Sequence, residues 1–395
     1  MAALEEEKKT RKPADGRFRQ QRLPAWQPVL TPKTVLPTLI IVGILFTPIG
    51  GLLYWSTNRV DEIMLNYSYC GRYENPVYMA SSLQSYRFSD MNNYTSMEYP
   101  AYHVHNETSF LNPEWKNPNN ITVRRCTIDF TVPKTMKGPI FLYYRLTNFY
   151  QNHRQYIKNY DPNQLLGNVV SRSTLSGNCD PLATAPDGRL IYPCGLIANS
   201  MFNDTISNFT RIDGDQAASY TFQKTGIAWP TDKQKYRPTQ YATDQIAPPP
   251  NWSLRYPNGT YDDAHPPPDL STDEAFMVWM HVAALPDFRK IWGRNDQDDL
   301  VAGRWRVSID MNFDTLQYDG TKWLVLSTTT PLGGRNPYLG IAYMAIGALC
   351  LLLGAIFAAR HLIKPRKLGD PSYLSWNQPG GGLPSTKRAH HLHKE

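Results

Sequence analysis

The sequence predicts a membrane protein in which two transmembrane helices flank one large β-rich (α+β) ectodomain, disulfide-bonded and glycosylated. Three observations carry this. Two long stretches lack charge, the charge splits between the ends and the middle of the chain, and sequons and cysteines collect in the middle. Residues 35–55 form the first uncharged run, 21 residues long. At the helical rise this is roughly 31 Å, enough to cross a bilayer core. Residues 337–359 form the second. Pro37 and Pro48 fall inside the first run, which a membrane helix tolerates because neighbouring groups re-satisfy the freed carbonyls. A buried core helix of this length would show a polar face, and neither run does.

The net charge of +7 is a topology signal. Residues 1–34 hold 8 Lys+Arg against 4 Asp+Glu, and residues 360–395 hold 7 against 2. The region between the spans holds 26 against 28. Basic tails beside both spans predict two cytosolic termini, and a nucleic-acid partner is not indicated. No small-residue cleavage site follows the first span, which reads as an uncleaved signal anchor. The expected organisation is a cytosolic tail (1–34), a first span (35–55), an exoplasmic or lumenal ectodomain (56–336), a second span (337–359) and a cytosolic tail (360–395).

The middle region agrees. Eight N-x-[S/T] sequons lie there, at Asn66, Asn93, Asn106, Asn120, Asn203, Asn208, Asn251 and Asn258, and neither tail has one. The clustering predicts passage through the secretory lumen. Asn66 stands too close to the membrane to be readily modified. Cys70, Cys126, Cys179 and Cys194 fall in the same region, whereas Cys350 lies inside the second span. An even count in an oxidising compartment suggests two disulfides. Three pairings are open, and the sequential one, Cys70–Cys126 with Cys179–Cys194, is favoured. Its second bridge closes a loop of about 15 residues, worth roughly 3 kcal/mol in the chain-entropy account. No Cys/His spacing suits zinc.

The segments "ITVRRCTIDFTV" and "WRVSIDMNF" alternate apolar and polar residues, and "FLYYRL" and "KWLVLST" are short aromatic or β-branched runs. All four read as strands. "NFYQNHRQYIKNY" (148–160) reads as a helix. The prolines at 248–250 and 266–268, with two sequons between them, mark an irregular, solvent-facing excursion. The whole is long enough for a substantial core, arranged in one or two lobes.

Enzyme signatures are missing: the sequence has no G-x-S-x-G, H-E-x-x-H, Walker A or dinucleotide glycine pattern. His103 and His105 in "YHVH" would share one face of a strand and could bind a metal, but without further ligands nearby ordinary surface histidines are the favoured reading. "QKTGI" (223–227) resembles the D-K-T-G-T phosphorylation loop of P-type ATPases, with Gln223 where the aspartate would stand, on the wrong side of the membrane for ATP. It reads as coincidence, and no metal or cofactor is implied.

The spans carry small-residue rows. Gly340, Gly347 and Gly354 recur every seven residues, close to two helical turns, and Gly43, Thr47 and Gly51 recur every four. Such faces let helix backbones approach closely. They could meet each other or a partner.

Taken together, "FRQQRLPAWQP" (18–28), "VPKTMKGPIFLYYRLTNFYQNHRQY" (132–156), "YPCGLIANSMFNDT" (192–205), "EAFMVWMHVAALPDFRKIWG" (274–293), "GGRNPYLGIAY" (333–343) and "LGDPSYLSW" (368–376) closely resemble the Cdc-fifty/Lem3-type accessory (β) subunits of type-IV P-type ATPases, the phospholipid flippases. The resemblance covers nearly the whole chain, and four lumenal cysteines suit the fungal members. It implies a non-catalytic subunit that forms a heterodimer with the catalytic α subunit. Such a subunit accompanies the α subunit out of the endoplasmic reticulum and supports a cycle moving phospholipid from the exoplasmic to the cytosolic leaflet. It implies residence in the endoplasmic reticulum, Golgi, endosome or plasma membrane. The rival is an independent cell-surface glycoprotein, such as an adhesion or receptor ectodomain, which leaves the elaborate tails unexplained.

The resemblance also bears on the first tail. Arg17, Arg19 and Arg22 suit anionic membrane lipids, and Trp26 suits the membrane interface. Pro24, Pro28 and Pro32, however, forbid a continuous amphipathic helix. A proline-stiffened strip bearing Arg22, Pro24 and Trp26 loses little chain entropy on docking, so a groove on the partner is the favoured reading, with lipid contact secondary.

Overall fold

The alternation in residues 123–132 and 303–310 produces two long strands whose apolar residues share one face. The computed structural model describes residues 16–18, 21–24, 31–89, 98–113, 115, 117, 120–214, 218–256, 258–331 and 333–365. In chain order the strands are β1 (Glu62–Asn66), β2 (Val77–Tyr78), β3 (Gln84–Arg87), β4 (Ala101–Glu107), β5 (Val123–Val132), β6 (Ile140–Leu146), β7 (Leu190–Ile191), β8 (Thr205–Ile206), β9 (Phe209–Arg211), β10 (Ser219–Tyr220), β11 (Ile246–Ala247), β12 (Phe288–Asn295), β13 (Gly303–Asp310) and β14 (Lys322–Thr328).

One antiparallel sheet has the order β12-β6-β14-β1-β3. A larger one runs β10-β9-β13-β5-β4-β2, with β8 added beside β13. A third, small sheet pairs β7 with β11 in parallel. Register follows the side-chain pattern. Trp305 lies opposite Phe130, Val307 opposite Ile128 and Ile309 opposite Cys126. On the other sheet Ile63 faces Leu326, and Leu65 faces Leu324. These inward rows meet in one core, so the two sheets form a sandwich. Burying each such Leu, Ile or Val is worth about 1.5–3 kcal/mol. The four segments expected to be strands are strands.

A second core lies where β6 continues to Tyr144 and Leu146, and it is aromatic. Tyr144 stacks on Phe202 at 3.9 Å between centroids, and Trp279 packs within ring-contact distance of Tyr144, Phe149, Phe288 and Phe313. Trp279 and Trp252 donate their indole N–H groups to the carbonyls of Ile197 and Ala198. The residues between β6 and β12 are therefore anchored although they hold little regular structure.

Two expectations change here. The helix expected over 148–160 shrinks to Arg154–Lys158. Asn148 takes a left-handed φ of 59°, and Gln151 is buried with its Oε1 accepting from the Ala283 N–H. Tertiary bonds override the local pattern. The proline-rich excursion is irregular but not merely solvent-facing: Trp252, Tyr256, Tyr261 and Leu270 are buried in the aromatic core.

The disulfides are Cys70–Cys126 and Cys179–Cys194. The first links the turn after β1 to the centre of β5, tying the two sheets together. The second forms its own small core with Leu175 and Ala183.

Another tie is ionic. Lys322 opens β14 with its side chain 5% exposed, and its Nζ donates to Asp204 Oδ2 and the Phe313 carbonyl, both at 2.7 Å. Asp204 also accepts from the Tyr67 hydroxyl at 2.9 Å and from the backbone N–H groups of Asn312 and Phe313 at 2.6 Å. Burial, with the Asp204 charge second, pushes the Tyr67 phenol well above its ordinary range, so it donates as a neutral hydroxyl. Asp204→Ala strands a buried ammonium and should destabilise the full chain in detergent by about 3–5 kcal/mol, measured by thermal or denaturant unfolding. Asp204→Ala with Lys322→Met should recover part of that loss. Additive losses would mean that the two charges do not act as a pair.

Candidate functional site

The two long helices form a unit of their own. They span Pro32–Thr57 and Pro337–Ile363, 26 and 27 residues, and both are apolar enough to cross a membrane. They run antiparallel. Gly354 lies against Leu39 and Ile40, Gly347 against Thr47, and Gly340 and Met344 against Gly50. Phe46 and Tyr343 add a ring contact at 5.0 Å. The small residues are what permit this approach. A Cβ on Gly347 would come within 2.5 Å of Thr47 Oγ1 and 2.8 Å of the Thr47 backbone nitrogen. A Cβ on Gly50 would come within 2.8 Å of the Gly340 carbonyl. Backbone atoms cannot yield as a flexible side chain can.

Within this chain the glycine faces meet each other. One member of the expected row is corrected. Gly51 has nothing within 4 Å of an added Cβ, and Gly50 takes its place beside Gly43 and Thr47. At 100° per residue Gly50 lies about 20° from the direction of Gly43, and Gly51 about 80°. The opposite sides of both helices carry exposed Ile41, Ile44, Leu52, Leu349, Leu352 and Ile356, the composition of a lipid-facing surface.

The sequon asparagines fall into groups. Asn106, Asn120, Asn208, Asn251 and Asn258 are exposed, and Asn203 is half-buried. Asn66 is corrected as a glycan site. It is 2% exposed, inside β1, and its Oδ1 accepts from the Ser68 N–H, so the fold has no room for a glycan there. Asn93 lies outside the described residues, as does Trp26; Arg22 and Pro24 are exposed.

The remaining conspicuous charges are occupied with structure. Glu274 is buried at the start of the helix Glu274–Met280 and accepts from the N–H groups of Ile227 and Ala228 and from Lys233 Nζ at 2.6 Å. The "QKTGI" segment is thus a turn held from both ends, since Gln223 exchanges backbone bonds with Arg294. Lys290 donates to the carbonyls of Val278, Trp279 and His281 at 3.0, 2.6 and 2.6 Å, capping the C-terminus of the same helix. Burial pushes this ammonium down to about 7. Sequence reasoning passed over Asp204, Lys322, Glu274 and Lys290 as site residues, although Asp204, Glu274 and Lys290 lie inside the quoted motifs. Among the described residues no group of three or more His, Cys, Asp or Glu is placed to hold a metal. His103 and His105 lie side by side with ring centroids 5.8 Å apart.

The fold defines a class: a two-span membrane protein with a disulfide-pinned β-sandwich head inserted between its spans. The chain belongs to the LEM3 (ligand-effect modulator 3)/CDC50 family, whose pattern matches residues 53–367. It is 38% identical over 386 residues to the phospholipid-transporting ATPase accessory subunit CDC50 of Chaetomium thermophilum, covering 93% of this chain and 92% of that protein. It is 38% identical over 379 residues to the accessory subunit CRF1 of Saccharomyces cerevisiae, covering 95% and 92%. Cell cycle control protein 50A of Bos taurus is 37% identical over 360 residues, 88% of each chain.

If the glycine contacts hold the helices together, Gly50→Leu should separate them and Gly51→Leu should not. The check is a short thiol-reactive cross-linker applied to Phe46→Cys with Tyr343→Cys in a Cys350→Ser background. Cross-linking should fall several-fold with Gly50→Leu only.

Proposed function

We propose that the chain is the non-catalytic accessory subunit of a type-IV P-type ATPase that transports phospholipid. It pairs with the catalytic α subunit, is needed for that subunit's export from the endoplasmic reticulum, and supports movement of phospholipid from the exoplasmic to the cytosolic leaflet. The carrying observation is a likeness of 38% over more than nine-tenths of both chains to proteins named as phospholipid-transporting ATPase accessory subunits. A likeness of that extent includes the spans and tail sequence as well as the head. In this reading both termini are cytosolic, which the basic tails support, and the exposed sequon asparagines carry glycans. With the glycine faces occupied by each other, the partner meets other surfaces, among them the open side of the first helix around Gly51.

Extraction in mild detergent should bring down a second chain of P-type ATPase size in about equal amount. Migration of the chain alone would favour the independent cell-surface glycoprotein.

The first tail supplies a separate expectation. Its prolines, and the exposure of Arg22 and Pro24, suit an extended strip docked on the partner's cytosolic side. Arg22→Ala with Trp26→Ala removes two anchors, each worth about 1–2 kcal/mol. The head and the spans should keep the complex together, so its yield should be unchanged while lipid-stimulated ATP hydrolysis falls. Unchanged hydrolysis at equal stoichiometry would leave only the lipid-surface role for the strip.

A further inference from the structure

Where the chain leaves the first long helix, a cavity of about 720 Å³ opens beside the sandwich. Arg59, Lys134 and Lys137 line it, with Trp55, Asp61 and Thr329. Among the described residues three cations therefore face one carboxylate, and that carboxylate is engaged: Asp61 Oδ1 accepts from the Ser89 N–H at 3.0 Å. Elsewhere on the head arginines are commonly matched, as in Arg145–Asp287, Arg289–Glu62 and Arg306–Asp129. Arg59, Lys134 and Lys137 have no ion-pair partner among the described residues, and Lys134 and Lys137 are exposed. Like charges gathered around a concave surface repel one another, and an anion in the cavity relieves that repulsion.

Arg59 is also oriented. Its guanidinium lies over the Trp55 ring, 3.8 Å from the centroid. Stacking occupies the face of the guanidinium and leaves its N–H edge for an acceptor. Trp55 belongs to the last turn of the first membrane-spanning helix and is 56% exposed. An exposed tryptophan at the end of a span marks the level of lipid headgroups. Thr329 approaches from the other side of the chain, eight residues before the second span begins. The cavity is thus cationic, bordered by an interfacial aromatic, and within the size range of small-ligand sites.

We propose that this cavity binds the phosphate-bearing headgroup of an anionic phospholipid in the leaflet that the head faces. Arg59 contributes directed N–H donors, and Lys134 and Lys137 act as point charges on the phosphodiester and on any further headgroup anion. The role is distinct from assembly with a catalytic subunit, and it does not depend on which lipid such a subunit would carry.

The test is amine acetylation of the full chain in lipid nanodiscs, read residue by residue by mass spectrometry. Discs of phosphatidylcholine alone are compared with discs also containing phosphatidylserine. Labelling of Lys134 and Lys137 should fall about fivefold with phosphatidylserine, the scale expected for a basic residue at an anionic surface. Exposed Lys158 serves as the internal reference and should not change. Arg59→Gln should abolish most of the protection. Equal labelling of Lys134 and Lys137 in the two discs overturns the proposal. Protection in phosphatidylcholine discs by inorganic phosphate, equal to that by phosphatidylserine, overturns the lipid and assigns a soluble phosphate. Protection that survives Arg59→Gln overturns the site and leaves only diffuse attraction to the charged bilayer.

Discussion

Lys322 is buried at the start of a central strand, and an ammonium there is tolerable only if something answers its charge. Asp204 does so from 118 residues away in the chain. Lys322 opens β14 of the five-stranded sheet. Asp204 immediately precedes β8 of the larger sheet, and Tyr67, which follows β1, adds its hydroxyl to the same carboxylate. Asn312 and Phe313, the turn after β13, close the other oxygen. One carboxylate therefore fixes four segments of the sandwich at once. A hydrophobic core alone could bring the sheets together at several offsets, because apolar contact is non-directional. The bonds to Asp204 are satisfied at one offset only.

The same logic holds the residues between β6 and β12, whose backbone ladders are short and few, two or three residues to a strand. Their order comes from aromatic packing around Trp279 and from side chains that bond to backbone. Glu274 fixes residues 227–228, Lys290 caps the helix that Glu274 begins, and Trp252 and Trp279 donate to the carbonyls at 198 and 197. The Cys179–Cys194 bridge lies within this region and supplies a small core where few apolar side chains are present. A segment with so little regular structure keeps a defined surface only if such anchors are frequent.

The parts of the fold that were legible in the sequence are those with a local signature. Period-two alternation marked β5 and β13, and the absence of charge marked the helices. The sequential cysteine pairing was readable because one loop was short. What was hidden is non-local. Nothing near Asp204 or Lys322 signals that they meet, and the sequon at Asn203 draws the eye to the neighbouring residue instead. Asn66 matches the glycosylation pattern as well as any other sequon, but it lies inside a strand whose burial only the pairing of β1 with β14 and β3 reveals. The choice between Gly50 and Gly51 turned on a rotation of about 100°, which a four-residue spacing does not resolve.

The head and the helix pair reach one result separately. In the head, β1 pairs antiparallel with β14, so Glu62 lies opposite Ser327. Thr328 bonds the Asp61 N–H, Arg335 donates to the Val60 carbonyl, and the Thr57 hydroxyl donates to the Asn336 carbonyl. Entry and exit of the head are thus bonded side by side. Within the membrane unit, Gly43, Thr47 and Gly50 bring the first span against the second in antiparallel sense. Each unit closes the same two chain segments with its own contacts, one set polar and one set built on missing side chains. The small-residue faces of the two helices are thereby used on each other. Backbone surface consumed in that closure is not available to a partner, so recognition of a second chain falls to the surfaces left open: the outward sides of the spans, the tails and the head.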